Sequence, residues 1–135
     1  MNISVFGLGY VGCVSAACFA REGHAVWGVD ISDQKVAAIN AGLSTIVEEG
    51  IGELVHEQQA AGRLRATKSV VEAINATSIS LICVGTPSRP NGSIELKFVE
   101  RVCEEIGEAL RHKSEFHLIT IRSTVLPGTI QDVVI

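Results

Sequence analysis

No stretch of about 18 consecutive apolar residues occurs in this 135-residue chain, so no membrane-spanning helix is expected. No run of like charges occurs either. Lys and Arg number 11 against 15 Asp and Glu, giving a net charge of −4 and a pI near 5.5. A basic surface for nucleic acid or anionic lipid is therefore not indicated. The amino terminus lacks a basic region, apolar core and cleavage site in succession, so it does not read as a signal peptide, and the cytoplasm is the expected compartment. Cys13, Cys18, Cys83 and Cys103 form no C-x-x-C, and no histidine stands at zinc-site spacing from them, so no metal is expected. They read first as small buried hydrophobes, then as reactive thiols, and last as a disulfide framework. His24, His56, His112 and His117 are scattered and pair with no acid or cysteine in a catalytic pattern, which leaves surface or helix-end roles. There is no internal repeat, low-complexity tract or linker. With 47% hydrophobic and 19% charged residues, the composition excludes intrinsic disorder and leaves one domain with a real core.

What is present is an alternation of strand-like and helix-like segments. Residues 2–6 (NISVF) and 25–30 (AVWGVD) read as strands. Between them a helix over 11–22 carries Val11, Val14, Cys18 and Phe19 on one stripe and ends at Gly23. Ser32 caps a helix over 33–41 that Gly42 closes. A loop at 43–50 leads to a helix over 51–61, a short strand near 65–67 and a small helix at 69–76. The run 79–84 (ISLICV) suits a parallel strand covered on both faces. A turn-rich loop at 85–93 precedes an amphipathic helix over 96–112 and a strand at 118–122. A last helix begins near Thr129. This order implies a parallel sheet with helices on both faces, a three-layer αβα arrangement of doubly wound, Rossmann type.

The sharpest motif is Gly7-Leu8-Gly9-Tyr10-Val11-Gly12, which leaves a strand and opens a helix. Gly7 permits the tight turn. Gly9 lets the backbone approach a pyrophosphate. Gly12 lets the helix pack on the strand. The helix start then offers free N–H groups and a positive dipole end to phosphate. Asp30, at the end of the second strand, suits the hydroxyls of an adenosine ribose and would repel a 2′-phosphate. No arginine follows at 31 or 32, so NAD is favoured over NADP, with Lys35 the one cation a helical turn further on and FAD a minor alternative. Two further strand ends carry polar turns, at 84–88 and 122–128. There Thr86 and Thr124 are candidates to bond the cofactor or to hold a water near the reacting centre, the alternative for each being a helix N-cap or turn threonine. A dinucleotide fold of this type has six strands, and about five are visible. Residues 1–135 are therefore read as an NAD(P)-binding domain, a truncated fragment of a larger enzyme whose substrate and catalytic half is absent.

Together these residues resemble the nucleotide-sugar 6-dehydrogenases, the UDP-glucose/GDP-mannose dehydrogenase family. The matching pieces are FGLGYVG at 6–12, GVD at 28–30, Lys35, IVEEG at 46–50, ICVGTPSRPNGSIEL at 82–96 and RSTVLPGT at 122–129. The last two look most like members that act on GDP-mannose. UDP-glucose enzymes usually have lysine where Arg122 stands. Glu49 and Ile51 replace a proline and a leucine common in the family, and Glu95 replaces an aspartate.

The resemblance implies NAD-dependent oxidation of a sugar C6 alcohol through the aldehyde to the carboxylate, giving GDP-mannuronate for alginate-type polysaccharide. It also implies a catalytic cysteine, lysine, asparagine and glutamate further along than this chain reaches, so the chain alone is expected to bind NAD without turning over sugar. By position, the resemblance puts Tyr10 and Val11 in the phosphate loop, Asp30 on the ribose, Lys35 at the adenosine end, and Thr86 and Thr124 along the cofactor, Thr124 nearest the nicotinamide and the catalytic water as an accessory to catalysis. A homo-oligomer built through regions outside this chain is implied as well. Other readings left open are a UDP-glucose enzyme, a dehydrogenase of another substrate class, and a stand-alone NAD-sensing regulatory module. The apolar end Val133-Val134-Ile135 favours a cofactor domain cut from its partner.

Overall fold

The first strands, NISVF and AVWGV, are apolar at nearly every position, and because successive side chains point to opposite faces the sheet has two faces to bury. The computed structural model describes residues 1–84 and 97–122. In chain order the elements are β1 (Asn2–Phe6), α1 (Tyr10–Arg21), β2 (Ala25–Val29), α2 (Asp33–Asn40), α3 (Ile51–Ala60), β3 (Leu64–Thr67), α4 (Val70–Ala76), β4 (Ile79–Ile82), α5 (Lys97–Leu110) and β5 (Leu118–Ile121). The strands form one sheet in the order β3-β2-β1-β4-β5, and every neighbouring pair is parallel. The expected αβα architecture is therefore present. The final helix expected near Thr129 lies outside the described residues.

Register explains the two cores. Ile3 pairs with Val26 and Ile79, and Val5 pairs with Leu81, which puts these side chains on one face. There they pack with Cys13, Ala16, Ala17 and Ala20 of α1, Ile39 of α2 and Val55 of α3. Phe6, Val29 and Ile82 face the other way, against Ala73 and Ile74 of α4 and Ile106 and Ala109 of α5. Phe6, Ile82 and Ile106 are almost wholly buried, worth about 1.5–3 kcal/mol each. Ser32 and Ser69 cap α2 and α4, their side chains accepting from the N–H groups of Lys35 and Glu72.

The expected apolar stripe of α1 is not its buried face. Gly12, Cys13, Ala16, Ala17 and Ala20 are buried, whereas Val11 is exposed and Val14, Cys18 and Phe19 are half-buried. The cause is Gly12: a Cβ there would stand 1.6 Å from the Gly7 carbonyl oxygen. That contact brings the helix against the β1 turn and sets its rotation, so small residues rather than large ones meet the sheet. β4 also ends at Ile82, short of the expected 84. Beyond it the Cys83 carbonyl packs against Gly7, where a Cβ would lie 2.8 Å from that oxygen.

The face toward α4 and α5 also holds a polar chain. Ser4 and Ser80, paired in register, bond through their hydroxyls at 2.7 Å. Thr77 Oγ1 reaches Ser4 at 3.2 Å, and His117 Nε2 lies 2.6 Å from Ser80 Oγ. Lys113 Nζ donates to the Ile74 and Thr77 carbonyls and stands 3.1 Å from His117 Nδ1. An ammonium only donates, so Nδ1 accepts and Nε2–H donates to Ser80. Burial, then the Lys113 charge, pushes the His117 pKa down, opposed by a backbone hydrogen bond at Thr77. His117 is thus a half-buried member of a network, not a surface histidine. Among the described residues no buried side-chain polar atom lacks a partner.

Candidate cofactor site

The carboxyl ends of β1, β2 and β4 lie side by side, and between β1 and β4 the order of the sheet reverses direction. A cleft of about 600 Å³ opens there, lined among others by Gly7, Gly9, Tyr10, Val11, Asp30, Lys35 and Cys83. Ligands of open α/β sheets occupy this position.

The three glycines differ in what they exclude. Gly7 has φ +98, and its N–H bonds the Val29 carbonyl at 2.8 Å, so the turn is tied to β2 as it leaves β1. Gly12 is a packing glycine, as described. Gly9 is neither: a Cβ added to it would meet nothing within 4 Å. Its absence keeps open space in the cleft rather than relieving a clash. Gly9 is also the N-cap of α1 and supplies no side-chain cap, and the first helical bond runs from Cys13 N–H to Gly9 O at 2.9 Å. The preceding N–H groups of the first turn have no acceptor within the helix and carry its positive dipole end.

Asp30 is set firmly. Its Oδ2 accepts the Leu8 N–H at 2.8 Å and its Oδ1 accepts the Ser32 N–H at 2.9 Å. Each oxygen keeps lone-pair capacity for a further donor. Lys35, half-buried, lines the same end of the cleft. Lys68 does too, and it is paired with Asp33 at 2.9 Å. The structure thus brings Gly7, Gly9, Tyr10, Val11, Asp30 and Lys35 together around the cleft, while Gly12 is buried behind the turn as a packing residue; Thr86 and Thr124 lie outside the described residues.

Several contacts had no signal in the sequence. Leu8 is fully buried and packs over Gly28, where a Cβ would lie 2.7 Å from its Cδ2. Thr45 Oγ1 donates to the Leu8 carbonyl at 2.7 Å. The Tyr10 hydroxyl donates to Glu48 Oε2 at 3.1 Å, joining the 43–50 loop to the start of α1. That hydrogen bond and then the carboxylate's charge push the Tyr10 pKa above its ordinary value. Cys83 is half-buried; burial pushes its thiol pKa up against the opposing pull of the Arg122 guanidinium. Burial likewise raises Cys103. Neither is set up as a thiolate nucleophile. All four cysteines are free, and among the described residues no group of three or more His, Cys, Asp or Glu is placed to hold a metal ion.

A sequence model of the UDP-glucose/GDP-mannose dehydrogenase family, NAD binding domain, matches residues 1–135. The chain belongs to this family. It corresponds to the family's NAD-binding domain, and its Rossmann sheet is that domain's fold. Among curated relatives, GDP-mannose 6-dehydrogenase of Azotobacter vinelandii is 56% identical over 135 residues, 100% of this chain and 31% of the relative. A UDP-glucose 6-dehydrogenase of Haloferax volcanii is 42% identical over 134 residues, 99% of this chain and 31% of the relative. The crystal structure of a ternary complex of GDP-mannose dehydrogenase from Pseudomonas aeruginosa superposes with a TM-score of 0.99 at 51% identity, covering 100% of this chain and 31% of that one. The chain thus spans about a third of the length of the relatives it matches.

Proposed function

We propose that this chain is the cofactor half of a GDP-mannose 6-dehydrogenase, and that residues 1–135 form one domain holding NAD in the cleft at the β1–β4 reversal. The observation that carries the reading is Asp30: a carboxylate fixed by two backbone N–H groups, beside an uncapped helix start and the open space over Gly9. In this reading the turn Gly7–Gly12 takes the pyrophosphate, with Tyr10 and Val11 supplying first-turn N–H groups. Asp30 accepts from the adenosine ribose, and Lys35 meets the adenosine end. Thr86 and Thr124 complete the cofactor contacts, Thr124 nearest the reacting centre. When bound, NAD supplies the hydride acceptor. This chain's residues bind and orient it, and none of them is assigned catalysis.

The greater identity to GDP-mannose than to UDP-glucose enzymes supports the choice of sugar nucleotide. The same reading places the whole protein in the cytoplasm, in alginate-type polysaccharide synthesis, as a homo-oligomer built through the rest of its length. Calorimetric titration of the full-length protein tests the first step. Saturable NAD⁺ binding, with NADP⁺ at least about tenfold weaker because Asp30 repels a 2′-phosphate, is expected. Absence of binding to either, in a folded sample, overturns the reading. NADH formation with GDP-mannose but not UDP-glucose tests the second.

A further inference from the structure

We propose that Thr45 is a positioning residue for the cofactor turn: its hydroxyl locks the Leu8–Gly9 peptide and thereby fixes where the Gly9 N–H points. This rests on the reading of that turn as the NAD pyrophosphate site.

The turn has an inherent weakness. A peptide plane flips by compensating changes in the ψ before it and the φ after it, and a glycine on one side removes most of the steric resistance. Gly9 follows the Leu8–Gly9 peptide and has no Cβ to restrict its φ, and the space a Cβ would take is open.

The structure holds the two peptides around Leu8 separately. Asp30 Oδ2 accepts the Leu8 N–H and so fixes the Gly7–Leu8 peptide. Thr45 Oγ1 donates to the Leu8 carbonyl at 2.7 Å and so fixes the Leu8–Gly9 peptide. No peptide bond described is cis, so in that second plane the C=O and N–H point in opposite directions. Holding the carbonyl toward Thr45 directs the Gly9 N–H away from it. Burial of the Leu8 side chain over Gly28 supplies the third anchor.

Thr45 is itself held in place. The Ser44 hydroxyl donates to the Ile46 carbonyl at 2.8 Å and accepts the Ile46 N–H at 3.1 Å, closing a small turn around Thr45. That turn is seated on α1, where Ser44 Oγ lies 3.8 Å from Cys13 Sγ. Thr45 therefore acts on a bound dinucleotide through Leu8.

Thr45→Val keeps the shape and removes the hydroxyl; Thr45→Ser restores it. In the full-length protein, NAD⁺ affinity is measured by calorimetry, and hydrogen–deuterium exchange of the turn is measured without ligand. Thr45→Val should weaken NAD⁺ binding about three- to tenfold and speed exchange in the turn, with little change in melting temperature. Thr45→Ser should return both toward the parent. Parent-like affinity and exchange in Thr45→Val overturn the proposal, as does a loss that Thr45→Ser does not restore. A parent protein that binds no NAD⁺ defeats the functional reading instead, and the exchange comparison alone then judges the lock. If Thr45→Val does not fold, Thr45→Ala is read by the same criteria.

Discussion

The Asp30 carboxylate accepts the backbone N–H of Leu8 at 2.8 Å, a bond across 22 residues of sequence. The acid expected to receive a ribose is thus also a structural member of the glycine turn. Its second oxygen, on the Ser32 N–H, ties the start of α2 to the same point.

Removing Asp30 should therefore have two effects. Asp30→Ala is expected to lower stability by about 1–3 kcal/mol through the loss of two charge-assisted bonds, and to weaken NAD⁺ binding as well. Asp30→Asn keeps one acceptor oxygen and turns an NH₂ toward the other N–H, so it should lie between. Urea unfolding alongside calorimetry separates the effects. Full stability in Asp30→Ala would mean that these bonds add nothing in solution.

Gly9 and Gly12 should fail differently. Gly12→Ala drives a Cβ toward the Gly7 carbonyl and is expected to cost about 3 kcal/mol or more, because both atoms that must move are backbone. Gly9→Ala meets nothing in the free protein, and Gly9 has an ordinary φ of −78, so the fold should hold within about 1 kcal/mol. Its methyl group would instead occupy the cleft and weaken NAD⁺ binding. Thermal melts paired with titrations decide this; a destabilised Gly9→Ala that still binds NAD⁺ would reverse the assignment.

The His117 network predicts an acid-sensitive fold. The folded pKa lies below the ordinary 6.5, so the unfolded chain binds the proton more readily. The stabilisation is present above 6.5 and is lost as pH falls through the folded value. Chemical unfolding from about pH 7 to about pH 5 should show this slope, and His117→Gln should flatten it. Lys113→Met removes the donor to two carbonyls at the end of α4 and should lower stability at every pH.

Tyr10 is the single tyrosine of the chain. Its pKa is raised by Glu48, so Glu48→Gln should bring the phenol back toward 10.0. Ultraviolet titration of the phenolate reads this directly. An unchanged midpoint would show that the bond between the 43–50 loop and α1 does not persist in solution.

Much of this site is legible one residue at a time. The order of elements follows from hydrophobic pattern, the Ser32 cap from side-chain chemistry, and the helix ends from Gly23 and Gly42, whose lack of a Cβ permits the positive φ of +96 and +78 found there. The glycine turn and Asp30 stand out because their spacing follows from the local geometry of strand, turn and helix. These are short-range demands, and sequence alone determines them.

Tertiary structure decided the rest. The rotation of α1 was settled by the approach of Gly12 to Gly7, against the pattern of its larger apolar residues. Thr45 reaches Leu8 across 37 residues, Tyr10 reaches Glu48 across 38, and Ser4 meets Ser80 across 76. No periodicity links such pairs. A hydroxyl or carboxylate becomes a clamp only when the folded sheet brings an unpaired backbone group to it, and burial then makes that bond costly to leave unmade.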